Sequence, residues 1–157
     1  MKALLSRCAA AVILCSAITP VQATASGDWV AASDKTYCSL GTKQKDGGMF
    51  IMLTTSSGAS GLMIKPADQS LIATGADYPL KVNINNSSDI DTTANAGEFG
   101  GVKVLHIKLN AARIAAGEAD GFAFRVSLNG KVLFDKDLHG AHDEFAQFVE
   151  CSKKFGA

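Results

Sequence analysis

From Gly27 onward, apolar residues recur in short runs separated by Gly, Asn, Asp and Ser, the pattern of a mainly β chain. Gly27-Asp28-Trp29-Val30 leads into Tyr37-Cys38-Ser39-Leu40, followed by a polar turn from Lys43 to Gly48. Met49 to Thr55 is almost continuously apolar and β-favouring, which predicts a strand covered on both faces. Ser56 to Gly61 is a turn cluster, and Leu62-Met63-Ile64 returns as the hairpin partner. Pro66 stops that strand because it has no N–H to give to the ladder.

Tyr78 to Asn85 alternates, with Leu80, Val82 and Ile84 on one face. Asn86 to Gly101 is polar and Gly-rich and predicts only a short strand at Asp91 to Ala94. Val102 to Leu109 alternates again, with Leu105, Ile107 and Leu109 on one face and Lys103 out of register. Asn110 can cap a brief helical turn from Ala111 to Ala116. Phe122, Phe124, Val126 and Leu128 mark the clearest strand, and Asn129-Gly130 is the strongest hairpin signal because both residues tolerate positive φ. The return strand, Lys131 to Leu138, pairs imperfectly. A two-residue turn sets Phe124 opposite Asp135, which predicts a bulge or strand end near Asp135.

From Ala141 to Phe155 the period becomes helical. Phe145, Phe148 and Val149 share one side, Asp143 and Glu144 lie in the first turn, and Lys153 and Lys154 in the last, which suits the helix dipole. The fold expected is one antiparallel β-sandwich-like domain over 26–157, with a C-terminal α-helix and one disulfide.

Composition changes this picture mainly at the N-terminus. The 157 residues are 47% hydrophobic, with 15 basic and 15 acidic side chains, an even balance that argues against nucleic acid or anionic lipid as the main partner. Residues 1–25 read as a secretory signal peptide. Lys2 and Arg7 begin it, an apolar stretch runs from Cys8 to Ile18, and Val21-Gln22-Ala23 and Ala23-Thr24-Ala25 offer small residues for cleavage after Ala23 or Ala25. The apolar stretch is far shorter than the ~20 residues a spanning helix needs, so no membrane span is expected in the mature protein. Leu14 and Arg7 precede Cys15 and Cys8 and are too large for lipoprotein processing. The mature chain is slightly acidic because Lys2 and Arg7 lie in the leader.

Cys38 and Cys151 then remain, near the two ends of the mature domain. In an oxidising compartment such a pair predicts a disulfide, since a redox pair or thiolate metal site needs closer spacing.

Trp29 followed by Cys38, the run Gly121-Phe122-Ala123-Phe124-Arg125-Val126-Ser127-Leu128-Asn129-Gly130, and Leu138-His139-Gly140 before a helix ending in Cys151 resemble the invasion-associated locus B-like periplasmic proteins of proteobacteria. The resemblance covers about a third of the mature chain. It implies an exported β-rich envelope protein without an established catalytic site. The mid-chain cysteines frequent in that family are absent here.

Candidate chemistry is sparse. His139, His142 and Asp143 could hold Zn or Cu, and with them support a small exported metal-dependent hydrolase. The plainer reading is a solvated helix start carrying acidic residues, and no metal site is assigned. Asn83, Asn85, Asn86, Asp89 and Asp91 could supply calcium ligands, but they lack the EF-hand pattern and are ordinary turn residues. Gly58-Ala59-Ser60-Gly61 falls short of a nucleophile elbow, and His106 on a strand reads as structural or surface. Gly97 to Gly101 lacks the Lys-Ser/Thr of a phosphate loop and reads as a flexible hairpin, and basic residues are scattered.

The expectation is therefore a periplasmic or secreted, non-enzymatic binding or envelope-associated protein, an interaction module or inhibitor. It would use no cofactor, and its partner would be another protein or envelope component met at strand edges or Gly-rich loops. The sequence assigns no binding residue and no oligomeric state.

Overall fold

The computed structural model describes residues 22–26, 28–85, 88–109, 123–137 and 141–156. The leader up to residue 21, the helical turn expected over 111–116, Phe122, Leu138 and His139 lie outside the described residues. Ten antiparallel strands form one sheet: β1 Gln22–Ser26, β2 Trp29–Ser33, β3 Tyr37–Lys43, β4 Met49–Thr55, β5 Ser60–Lys65, β6 Asp77–Ile84, β7 Ile90–Phe99, β8 Val102–Ile107, β9 Ala123–Leu128 and β10 Lys131–Asp137. Their spatial order is β1-β2-β3-β4-β5-β8-β7-β6-β9-β10. A 3-10 turn at Gln69–Leu71 and the helix α1, His142–Lys153, complete the fold. β1 overlaps the expected cleavage sites, since Ala23 and Ala25 both lie within it.

The expected antiparallel β class, C-terminal helix and disulfide are present, but a separate second sheet is not. The sheet is continuous and curls into a half-barrel. The curl brings distant strands together inside. The Phe50 ring on β4 stacks on Phe134 of β10 and packs against Phe124 of β9, with ring centroids 4.8 Å apart in both pairs. Twist accumulated over many strands, with large aromatics filling the concave side, does what a second sheet would do in a sandwich. β10 also reaches the β3 end of the curl through Lys136. Its Nζ donates to Asp28 Oδ2 (2.7 Å), Thr42 Oγ1 (3.0 Å) and the Lys43 carbonyl (3.4 Å).

The alternation read from sequence sets the inward residues. Leu40, Phe50, Met52, Leu62, Ile64, Leu80, Val82, Leu105, Ile107, Phe124 and Val126 are buried in one core. Lys103 shares the inward face of β8 with Leu105 and Ile107. Its Nζ donates to the carbonyls of Ile72 (2.9 Å) and Gln69 (3.3 Å), which satisfies the charge and ties down the segment after Pro66.

The polar Asn86–Gly101 stretch holds β7, a ten-residue strand rather than the short one expected. Its buried residues are only Ala94 and Ala96, too small to announce a buried face. The bulge expected near Asp135 is present two residues before it. Val132 pairs with Ser127 but Phe134 with Val126, so Leu133 is the extra residue, and both Leu133 and Phe134 are buried. The shift also sets Asp135 opposite Arg125, where the two form an ion pair of 2.9 Å. The Asn129-Gly130 turn has φ of 50° and 78°, as its hairpin geometry requires.

α1 lies against β2 and β3 with Phe145 and Phe148 buried, and the Phe145 ring is 5.5 Å from that of Trp29. Cys151 is joined to Cys38 on β3, with Cα atoms 5.9 Å apart and a sequence separation of 113. In the chain-entropy model such a loop closure stabilises by about 4 to 5 kcal/mol.

Candidate functional site

The residues singled out in the sequence do not come together. His142 and Asp143 are exposed on the first turn of α1, and His139 lies outside the described residues. His106 is half-buried on the outward side of β8, the side of the sheet opposite the core that α1 helps to close. Among the described residues, no group of three or more His, Cys, Asp or Glu is placed to hold a metal ion. The Asn and Asp cluster is spent on local structure. Asn83 donates to Asp89 (3.0 Å), Asn85 accepts from the Ala123 N–H (2.9 Å), and Lys81 pairs with Asp91 (3.1 Å).

The surface that does stand out is the outer face of the sheet. Strand pairing lines up Val30, Gly41, Ile51, Met63, His106, Asn95 and Asp77 in one row across β2-β3-β4-β5-β8-β7-β6. The row is apolar from Val30 to Met63 and polar from His106 to Asp77, where Asn95 donates to Asp77 (3.0 Å). Three shallow grooves share walls along it. One lies beside Val30, Gly41, Met49 and Ile51, the next beside Met49, Ile51, Met63, Val104 and Phe99, the third beside Leu53, Met63, Phe99 and His106. Val30 is 44% exposed and Phe99 54%, large values for apolar side chains. Asp28, Lys43, Lys65 and Lys108 stand at the rims.

Local sequence explains this shape. β4 carries Met49, Ile51 and Leu53 at alternate positions, so its outward side is as apolar as its inward side. Phe99 closes β7 opposite Val102 and overhangs Met63 and Val104 from the Gly100-Gly101 turn. Gly97 lets His106 lie close to the strand, because a Cβ there would stand 2.9 Å from His106 Nε2.

Several carboxylates, Asp28 at a groove rim among them, are tied to local partners. Lys136 beside Asp28 holds that carboxyl below its ordinary value, chiefly by hydrogen bond and then by charge. The Thr36 backbone and hydroxyl lower Asp34, and the Ser70 hydroxyl and N–H lower Asp68. Glu144, on the first turn of α1, is the only charged residue in the buried class among the described residues.

The outer face escaped the sequence reading because the Met49–Thr55 run was assigned to double coverage. The missing signal was a second apolar layer: among the described residues, Met49, Ile51 and Leu53 stay half-buried. No family model, curated protein or solved structure matches this chain.

Proposed function

We propose that the protein is an exported, periplasmic or secreted, non-enzymatic binding or envelope-associated module. The observation that carries this reading is the run of apolar grooves on the outer face, bounded by Val30, Ile51, Met63 and Phe99. Monomeric soluble proteins rarely leave a contiguous apolar patch open unless it meets a partner. A rim of charged side chains around an apolar centre is the usual plan of a protein contact surface.

Export is supported by the leader pattern and by the Cys38–Cys151 disulfide. The resemblance of the closing segment to the invasion-associated locus B-like proteins points to the same compartment.

A photo-crosslinking residue at Ile51 tests the reading in intact cells. A discrete adduct from position 51, with none from the exposed helix position Ala146, is the expected result. Purified protein that carries stoichiometric metal and turns over a hydrolase substrate, losing both on His142→Ala, would overturn it in favour of the metal-dependent hydrolase.

A further inference from the structure

The two ends of the sheet are built differently. β10 pairs only with β9, and its open edge is guarded. It carries the Leu133 bulge, Lys131, Asp135 and Lys136, and the Asp135 carbonyl accepts a hydrogen bond from Gln44 Nε2 (3.1 Å). Bulges, charges and capped carbonyls are the means by which sheets avoid pairing with other chains. At the other end β2 has no bulge and no charge, and the side-chain bond that Ser39 Oγ makes to its Ala32 carbonyl (3.3 Å) comes from β3, within the sheet. Trp29-Val30-Ala31-Ala32-Ser33 contains no charge and no proline, and its register is unbroken on both sides. What covers its far edge is β1, which loses Gln22 and Ala23 on cleavage after Ala23 and all but Ser26 on cleavage after Ala25.

We infer that removal of the leader uncovers the β2 edge, and that a second copy of the chain occupies it, β2 against β2, in an antiparallel two-fold pair. This inference rests on the export reading above. β1 shows what the edge accepts: an uncharged five-residue strand, Gln22-Ala23-Thr24-Ala25-Ser26, with Thr24 opposite Ala31 at its centre. β2 has the same length, the same lack of charge and the same Ala-Ser ending. A two-fold axis at Ala31 reproduces the register of β1, with Val30 opposite Ala32 of the second copy and Trp29 opposite Ser33. Each copy offers the same patch to the other, so the contact closes on itself and does not propagate.

Two features favour this occupant. In a two-fold antiparallel pair directly opposed residues share a face, so the grooves beside Val30 run from one copy into the other. α1 contacts β1 as well as β2 and β3, and so overhangs the position that the second β2 takes. That adds contact area to a five-residue ladder, which alone is smaller than a standard interface and sets the pair in the weak, concentration-dependent class.

The test uses the processed protein purified from the envelope, with its intact mass fixing the N-terminus. Sedimentation up to about 100 μM should give twice the monomer mass, the range in which weak pairs form. A chain that begins at Gln22, and so keeps β1, should stay monomeric. Val30→Lys, which places a charge on an exposed edge position, should weaken the dimer by about tenfold without altering unfolding. Amide exchange across Val30–Ala32 should slow as concentration rises. A processed chain that stays monomeric, or a dimer indifferent to Val30→Lys, overturns the inference while leaving export intact. An intact mass that retains residues 1–25 rejects export instead, and chains made from Gln22 and from Ser26 then decide the pairing by the same sedimentation comparison.

Discussion

β4 turns Phe50, Met52 and Thr54 to one side and Met49, Ile51 and Leu53 to the other, and the two sides meet different fates. Inward, the chain supplies its own partners. Phe50 meets Phe124, Phe134 and Trp29, and the curl of the sheet, α1 and the disulfide all serve to close that cavity. Outward, among the described residues, the same density of apolar side chain meets shallow grooves walled by Met63, Val104 and the overhanging Phe99. Hydrophobic alternation therefore specifies that a face will be covered, while the rest of the chain decides whether it can cover the face itself. Here the inward face is closed by the chain's own residues and the outward face stays half-buried.

The largest effect should come from the inward face. Phe50→Ala leaves a cavity between three aromatic rings and should lower stability by about 3 to 5 kcal/mol, measured by denaturant unfolding. A loss below about 1 kcal/mol would mean that the two faces are not different in the way described. Cys151→Ser should follow at about 2 to 5 kcal/mol and raise Trp29 fluorescence sensitivity to quenchers, because α1 is then held to β2 and β3 by packing without the covalent tie.

Acid should act next, through the carboxylates tied to local donors. Asp28, Asp34, Asp68 and Glu150 have folded values held below the ordinary ones, so the stability they contribute is present above the unfolded carboxylate range and is lost as pH falls through their folded values. Unfolding midpoints should be flat through neutral pH and fall only below about pH 4. Lys136→Met removes the main partner of Asp28 and should shrink that acid loss. A midpoint that falls between pH 7 and 5 would require a different titrating group. The smallest stability effect should come from the outward face, where Ile51→Ser should cost about 1 kcal/mol or less while abolishing the adduct from a crosslinker at Leu53.

Much of the architecture was legible in the chain. An almost continuous apolar run located β4, alternation located β6, β8 and β9, Asn129-Gly130 located the last hairpin, and the two distant cysteines located the bridge. β7 was hidden because its inward residues are Ala94 and Ala96, whose burial leaves no hydrophobic signature in a polar run. The single curled sheet was hidden for a different reason. Whether strands close as one sheet or two depends on accumulated twist and on contacts such as Phe50 with Phe134, whose partners lie far apart in sequence. Local pattern carries neither. The grooves were written in Met49, Ile51, Met63 and Phe99, but only the register places those four side by side. His142 and Asp143 were conspicuous by type, and the structure sets them on an exposed helix start.

The most direct test of the division between the two faces is titration of the native protein with an environment-sensitive apolar dye such as anilinonaphthalene sulfonate, in parallel with its Ile51→Lys variant. The account predicts saturable binding to the wild-type protein and loss of that binding in the variant, with both unfolding at the same denaturant concentration. Native protein that binds no dye, or a variant that binds as well as wild type, would contradict it.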